Sequence, residues 1–343
     1  MSNNSTKILF LSVLISGILI SLCANSWMGA WMGLEINLLS FIPLLSSNKN
    51  MFSTESSLKY FLIQAIASST LLFLILLKTN IQEMFYFMKF SDWNNIIILP
   101  LLMKIAASPF YWWLPSVMEG LSWMNCLILL SIQKITPLML ISYLLINNTF
   151  IQTVIMSSAI IGAMGGLNQI SLRKILSYSS INHIGWMLSA MILGSNLWMM
   201  YFTIYMINII TIISLTMMNN FSYISQTFNS MNNQKMLKFI LFIAMLSLGG
   251  LPPFLGFFPK WIMIQFMTQN MMILMSITLV MSSLLTLYYY MRMMYTTLMI
   301  TTSEIMWIIL VNPKHNFFSK INLISLSILI LGTMLCSLIL WMY

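Results

Sequence analysis

Three lysines and one glutamate stand where a charge is costly: Lys104, Lys134, Lys260 and Glu35 each fall inside a long apolar stretch of the sequence. Glu35, Lys104 and Lys134 lie roughly nine to twelve residues into their stretches, which at about 1.5 Å per helical residue puts them some 14 to 18 Å deep, near mid-bilayer. A charge there costs at least ~2.5 kcal/mol even on the lenient insertion scale, so such groups face a bundle interior and mark ion or proton paths. Lysine suits proton carriage, because desolvation and neighbouring cations loosen an ammonium's proton while a carboxylate tightens it, and a mobile partner could load and unload it. The bland alternative is an internal staple between Glu35 and one lysine, which would leave two lysines without an intramembrane acid. His183, in Ser180-Ile-Asn-His-Ile-Gly185-Trp186, adds an imidazole that can exchange a proton near neutral pH. Beside Ser179, Ser180 and Asn182 it equally suits a satisfied core histidine.

The elements that must hold these residues are membrane-spanning. Of 343 residues 59% are hydrophobic and 6% charged, against roughly 25% charged in a soluble domain. Apolar windows of the length of a bilayer-crossing helix recur from Ile8 to Met342, without the short alternating segments of a transmembrane barrel. The expected fold class is all-α membrane, a polytopic bundle of about eleven transmembrane helices. They fall near 8 to 24, 26 to 45, 55 to 77, 95 to 120, 122 to 146, 150 to 168, 172 to 193, 196 to 218, 237 to 268, 271 to 299 and 321 to 343. The connections 79 to 94, 219 to 236 and 300 to 320 are too short for a further domain, so 1–343 forms a single integral membrane domain.

Two spans are broken. The fourth carries Lys104-Ile-Ala-Ala-Ser-Pro109-Phe110 and the ninth Leu248-Gly-Gly-Leu-Pro-Pro-Phe254 through Lys260, and proline and glycine interrupt the helical ladder at both. Gly/Pro-interrupted segments at corresponding places in two halves mark transporters built from repeats. A spacing of five spans makes the halves inverted copies, about 8 to 146 and 150 to 299, with 321 to 343 appended.

Of 15 Lys and Arg, three are the intramembrane lysines, two (Lys78 and Lys89) fall on the far side, and the remaining ten lie on the N-terminal side. The positive-inside rule then puts the N-terminus in the cytoplasm or an organelle matrix and Tyr343 across the membrane. The basic residues never run together as in a nucleic-acid site, so no nucleic-acid partner is expected and the partner surface is the lipid bilayer. Cys23, Cys126 and Cys336 are far apart and apolar in context, and no phosphate-binding glycine loop or Cys/His ligand set appears. No cofactor and no metal are expected in this chain. The aromatic residues Trp112, Trp113, Trp123, Trp186 and Trp198 suit interfacial belts and packing. The 35 methionines suggest an AT-rich organellar genome.

Several stretches taken together resemble a known family. They are Trp31-Met-Gly-Leu-Glu35-Ile-Asn37-Leu, Ser53-Thr-Glu55-Ser-Ser-Leu-Lys59-Tyr60-Phe, Gly165-Gly-Leu-Asn168-Gln169 with Leu172-Arg173-Lys174, the segment around His183, and Leu248-Gly-Gly-Leu-Pro-Pro-Phe254. Over essentially the whole chain the sequence is similar to the antiporter-like subunits of mitochondrial NADH:ubiquinone oxidoreductase, respiratory complex I, in their shortened animal form. The resemblance implies two inverted five-helix repeats, each with a discontinuous helix, in the inner mitochondrial membrane, with the N-terminus in the matrix and the C-terminus in the intermembrane space. It implies that Glu35 pairs with Lys104, that Lys134 is a connecting lysine, that His183 lies on a central axis and that Lys260 sits near the second discontinuous helix. Other membrane-arm subunits would be the partners, NADH and ubiquinone being bound elsewhere in the complex. One departure is Tyr111, where the family often has histidine; a tyrosine is a poor proton acceptor near neutral pH, which puts a titrating relay at that position in doubt.

The expected function is therefore proton translocation coupled to NADH–ubiquinone electron transfer, through Glu35, Lys104, Lys134, His183 and Lys260. A stand-alone secondary proton/cation antiporter of the same fold is the alternative, and a scaffold whose lysines merely pack is a third.

Overall fold

A chain with no water around it must satisfy its own backbone polar groups, and a helix does so within one segment. The structure, a computed structural model, describes residues 4–46, 50–84, 90–145, 147–219, 221–226 and 235–295. Its elements are helices throughout: α1 (Asn4–Cys23), α2 (Trp27–Leu45), α3 (Met51–Met84), α4 (Phe90–Ile105), α5 (Trp113–Gly120), α6 (Trp123–Leu130), α7 (Ile132–Leu144), α8 (Thr149–Gly166), α9 (Leu172–Leu193), α10 (Ser195–Asn219), α11 (Lys235–Gly249), α12 (Phe257–Gln269) and α13 (Ile273–Tyr295). Seven of the spans among the described residues are long and apolar enough to cross a membrane. The expected eleventh span, 321–343, lies outside the described residues, as do the connection 300–320, Glu304, Cys336, Lys314, Lys320, Lys49 and Lys89.

The expected fourth and ninth spans are each two helices, α4 with α5 and α11 with α12, as their prolines and glycines require. The expected fifth is also two, α6 and α7, parted at Ser131. No glycine or proline stands at that point, so composition carried no sign of it. The third is longer than expected: α3 runs 34 residues.

The chain divides between Ile161 and Gly162 into two compact units. In the first, α2 packs on α1 and α3, α3 on α4 and α5, and α7 on α4, α6 and α1. The α1–α2 approach is set by glycine: a Cβ on Gly33 would lie 2.6 Å from the Ser21 amide nitrogen and 2.7 Å from its Cβ. Small residues let membrane helices meet closely, since lipid gives no hydrophobic reason for them to associate. Ser26 caps α2, its hydroxyl accepting from Gly29 N at 3.2 Å, and Trp31 Nε1 donates to the Ser68 carbonyl at 3.0 Å, tying α2 to α3.

In the second unit α9 packs against α10, α12 and α13. It carries Ser177, Ser179, Ser180, Asn182, His183 and Ser189, too polar for a lipid-facing helix, and all of them are buried. Polar side chains at membrane depth are tolerated where protein, not lipid, surrounds them.

Candidate functional site

In the first unit, Lys104 and Lys134 line one cavity of about 20 Å³, whose other polar walls are Asn37, Tyr60, Gln64, Gln133 and Thr136. The two lysines are 7% and 2% exposed. Each is placed by a local backbone feature. α4 ends in a Schellman arrangement: Ala107 N donates to the Leu102 carbonyl at 3.0 Å and Ala106 N to that of Met103 at 3.3 Å, with Ala106 at φ 65°. Lys104 thus occupies the last turn of α4, where unmet carbonyls and the helix dipole favour a cation. Trp113 Nε1 donates to the Met103 carbonyl at 3.0 Å and Gln64 Nε2 to that of Lys104 at 3.3 Å, so α5 and α3 take up carbonyls at the break. A cis peptide joins Ser108 and Pro109.

Lys134 follows the Ser131 interruption. The Ser131 hydroxyl donates to the Leu127 carbonyl, and Lys134 N donates to the Ser131 carbonyl at 3.2 Å, a tightened i to i−3 turn. Such tightened turns inside helices often mark functional positions. From α2, Asn37 reaches the same wall, where Gln133 Nε2 donates to its Oδ1 at 3.0 Å.

Glu35 is half-buried and does not line the cavity. No ion pair joins Glu35 to Lys104; one that does form, Lys59–Glu55 at 2.6 Å, lies at the start of α3. A contact staple between Glu35 and a lysine, the bland alternative from sequence, is therefore not what the structure holds. Tyr111 is half-buried in the loop after α4 and stands outside the cavity lining.

In the second unit the break after α11 repeats the first in form. Leu251 N donates to the Leu246 carbonyl at 3.3 Å and Gly250 N to that of Ser247 at 3.1 Å, with Gly250 at φ 80°. The two interruptions, Ala106–Trp112 and Gly250–Gly256, match position for position, Pro109 with Pro253 and Phe110 with Phe254. The lysines do not match. Lys104 precedes its break, whereas Lys260 follows the other, on α12, and folds back so that its Nζ donates to the carbonyls of Gly249 at 2.9 Å and Leu248 at 3.3 Å.

Lys260 Nζ also stands 5.8 Å from the centre of the Trp186 ring, and Trp186 stacks on Tyr201 at 6.3 Å and 7°. Tyr201 in turn holds His183: its hydroxyl lies 2.9 Å from Nδ1, donating to the bare nitrogen or accepting from Nδ1–H according to the tautomer. Tyr205 packs against the same imidazole at 5.1 Å. His183 and Lys260 thus belong to one buried cluster. Trp186 at 1%, Trp113 at 2%, Trp198 at 3% and Trp123 at 4% exposure pack in the interior, and Trp112 alone of that set is exposed.

Gln64, Gln133 and Thr136 in one unit, and Tyr201 and Tyr205 in the other, carry no mark in the sequence reading, and Tyr60 enters it only within the stretch that carries the family resemblance. Their one sequence sign is polarity inside apolar spans, which does not say what they face. Among the described residues no three His, Cys, Asp or Glu side chains gather as metal ligands would.

Interrupted helices with buried lysines at their breaks define a polytopic helical membrane protein of the antiporter-like class. The chain belongs to the family described as NADH:quinone oxidoreductase/Mrp antiporter, transmembrane, whose pattern matches residues 24–286. It is 49% identical over 338 residues to NADH-ubiquinone oxidoreductase chain 2 of Aedes aegypti, covering 97% of this chain and 98% of that one. It is 48% identical over 332 residues to the chain 2 protein of Anopheles gambiae, covering 95% and 93%. Among solved structures, a chain of respiratory complex I from Thermus thermophilus with bound aureothin shares the fold at a TM-score of 0.81, with 19% identity, over 97% of this chain and 79% of that one. A chain of the Mrp complex from Dietzia sp. DQ12-45-1b does so at 0.75, with 18% identity, over 84% and 59%.

Proposed function

We propose that the chain is a membrane-arm subunit of respiratory complex I that moves protons across the inner mitochondrial membrane, driven by electron transfer from NADH to ubiquinone in other subunits. The identity to chain 2 proteins over nearly their whole length supports the assignment to that complex. The observation that carries the mechanism is the single small cavity lined by Lys104 and Lys134. Two ammonium groups on one polar cavity cannot both be comfortable as cations in a dry interior, so a proton shared between them has a reason to move.

Glu35 supplies the control. Half-buried on α2 and out of contact with Lys104, its carboxylate works through space, so a shift of α2 changes that attraction continuously. His183, Tyr201 and Lys260 form the corresponding polar cluster of the second unit. Two inverted five-helix repeats account for the matched breaks. The N-terminus faces the matrix and the C-terminus the intermembrane space, as the basic residues favour. This chain supplies no redox centre, and NADH and ubiquinone bind elsewhere.

Replacing Lys104 by Met in the assembled complex tests the proposal. Protons translocated per NADH oxidised should fall; an undiminished ratio overturns it. A stand-alone antiporter would exchange cations for protons without redox partners, and co-purification with NADH dehydrogenase activity separates the two.

A further inference from the structure

We infer that Asn208, near the middle of α10, is a positioning residue for Lys260: its amide holds the two ends of the second helix break in register and so sets where the Lys260 ammonium stands. This rests on the proton-translocation reading, in which Lys260 takes part.

Asn208 is an amide set between Ile207 and Ile209, and it is buried. In an apolar helix such a group is costly unless another segment meets it, and where it is met it ties helices together. α10 packs on both halves of the broken helix, α11 and α12. Ile204 of α10 joins Leu255 in the break and Phe258 of α12 in one apolar cluster, and Asn208 stands one turn further along α10. Apolar contact presses these elements together without direction; a hydrogen bond supplies the register.

The amide meets both sides of the break. On the α11 side the buried Ser247 hydroxyl lies 2.7 Å from the Ala244 carbonyl and 3.2 Å from Asn208 Oδ1, so its proton is shared between its own helix and α10. On the α12 side stands Gly256, where a Cβ would run into the Ser247 carbonyl oxygen and lie 3.4 Å from Asn208 Nδ2. Ser247, Gly256 and Asn208 therefore close the break at one point. The two carbonyls that follow Ser247, those of Leu248 and Gly249, are the ones to which Lys260 donates at 3.3 and 2.9 Å, and Lys260 lies one turn beyond Gly256. A slip at the closure moves carbonyls and ammonium apart together, and about 1 Å of misplacement is enough to slow a transfer step severely.

The spacing of Tyr201, Tyr205 and Asn208 puts all three on one face of α10. Tyr201 meets His183 at 2.9 Å, so a single stripe of side chains takes hold of His183 on α9 and of the break that seats Lys260. In the first unit α3, the helix before that unit's break, also sends an amide to the broken helix, Gln64 Nε2 donating to the Lys104 carbonyl at 3.3 Å.

The test uses the intact complex. Asn208→Leu keeps the bulk and removes both polar atoms of the amide. A high-resolution map of that variant should show the Lys260 ammonium shifted by about 1 Å or more from the Gly249 carbonyl, and protons moved per NADH oxidised should fall. Ser247→Ala removes only the hydroxyl, so it reads the same contact if the larger change prevents assembly, and it should shift Lys260 too. Because the two residues act through one contact, the double variant should lose no more than Asn208→Leu alone. Lys260 unmoved in these variants, as the Ile204, Leu255 and Phe258 packing by itself would leave it, overturns the positioning role, and so do additive losses in the double variant. Lys260→Met in parallel separates the failures. If it lowers the ratio and Asn208→Leu does not, only the positioning role falls; if Lys260→Met leaves the ratio unchanged, the part of Lys260 in translocation falls with it.

Discussion

The ammonium of Lys260 donates to the carbonyl of Gly249, the residue that ends α11, at 2.9 Å. A helix broken at membrane depth frees carbonyls that lipid cannot satisfy, and a lysine brought in from the next segment satisfies them while they in turn hold its charge.

Gly250 makes that arrangement possible. At φ 80° it occupies the left-handed region, and a Cβ there would lie 2.8 Å from Lys260 Cδ and 3.0 Å from Nζ. Gly250→Ala should therefore destabilise by at least about 1–2 kcal/mol from backbone strain and displace Lys260 as well. Gly249→Ala, whose Cβ would meet its neighbours at an ordinary 3.6 Å, should be milder. Thermal denaturation of the two variant complexes, with proton-to-electron ratios alongside, checks the contrast.

In the proposed mechanism Glu35 acts on Lys104 without touching it, so the charge should matter more than the reach. Glu35→Asp keeps the carboxylate and should retain most proton translocation, while Glu35→Gln should lower it clearly. Equal losses in both variants would mean that Glu35 works through a contact.

Tyr201→Phe removes the hydroxyl that meets His183 at 2.9 Å. A net cost of about 0.5–1.5 kcal/mol is expected for one lost hydrogen bond, and a double-mutant cycle with His183→Ala should show coupling of similar size. Additive effects would place the two side chains in separate roles.

Gly33 lets α1 and α2 meet, and Cβ distances of 2.6 to 2.8 Å leave no room for a side chain. Gly33→Ala should cost about 1–3 kcal/mol through overpacking. The measurement is the melting temperature of the complex, with Glu35 function read at the same time because α2 carries it.

Much of this molecule was legible in its sequence because the governing physics is local or depends on composition. Apolar runs announced α1, α2, α3, α8, α10 and α13, since a single long apolar segment in lipid satisfies its own backbone only as a helix. The breaks after Ile105 and Gly249 followed from Pro109, Gly249, Gly250, Pro252 and Pro253, whose backbone limits act within their own segment. Glu35, Lys104, Lys134 and Lys260 stood out by the cost of a charge in apolar surroundings alone.

What only tertiary structure decided is which side chains meet. Gln64 reaches the Lys104 carbonyl across 40 positions, and Gln133 reaches Asn37 across 96. Such pairings depend on how helices pack, which no local pattern encodes. The Ser131 interruption carries no breaking residue, and the return of Lys260 onto the Gly249 carbonyl across its own break is settled only once the helices are assembled. The sequence by itself determined a membrane bundle with costly charges at two broken helices; packing determined that Lys104 and Lys134 share one small polar cavity, because a cavity exists only between elements.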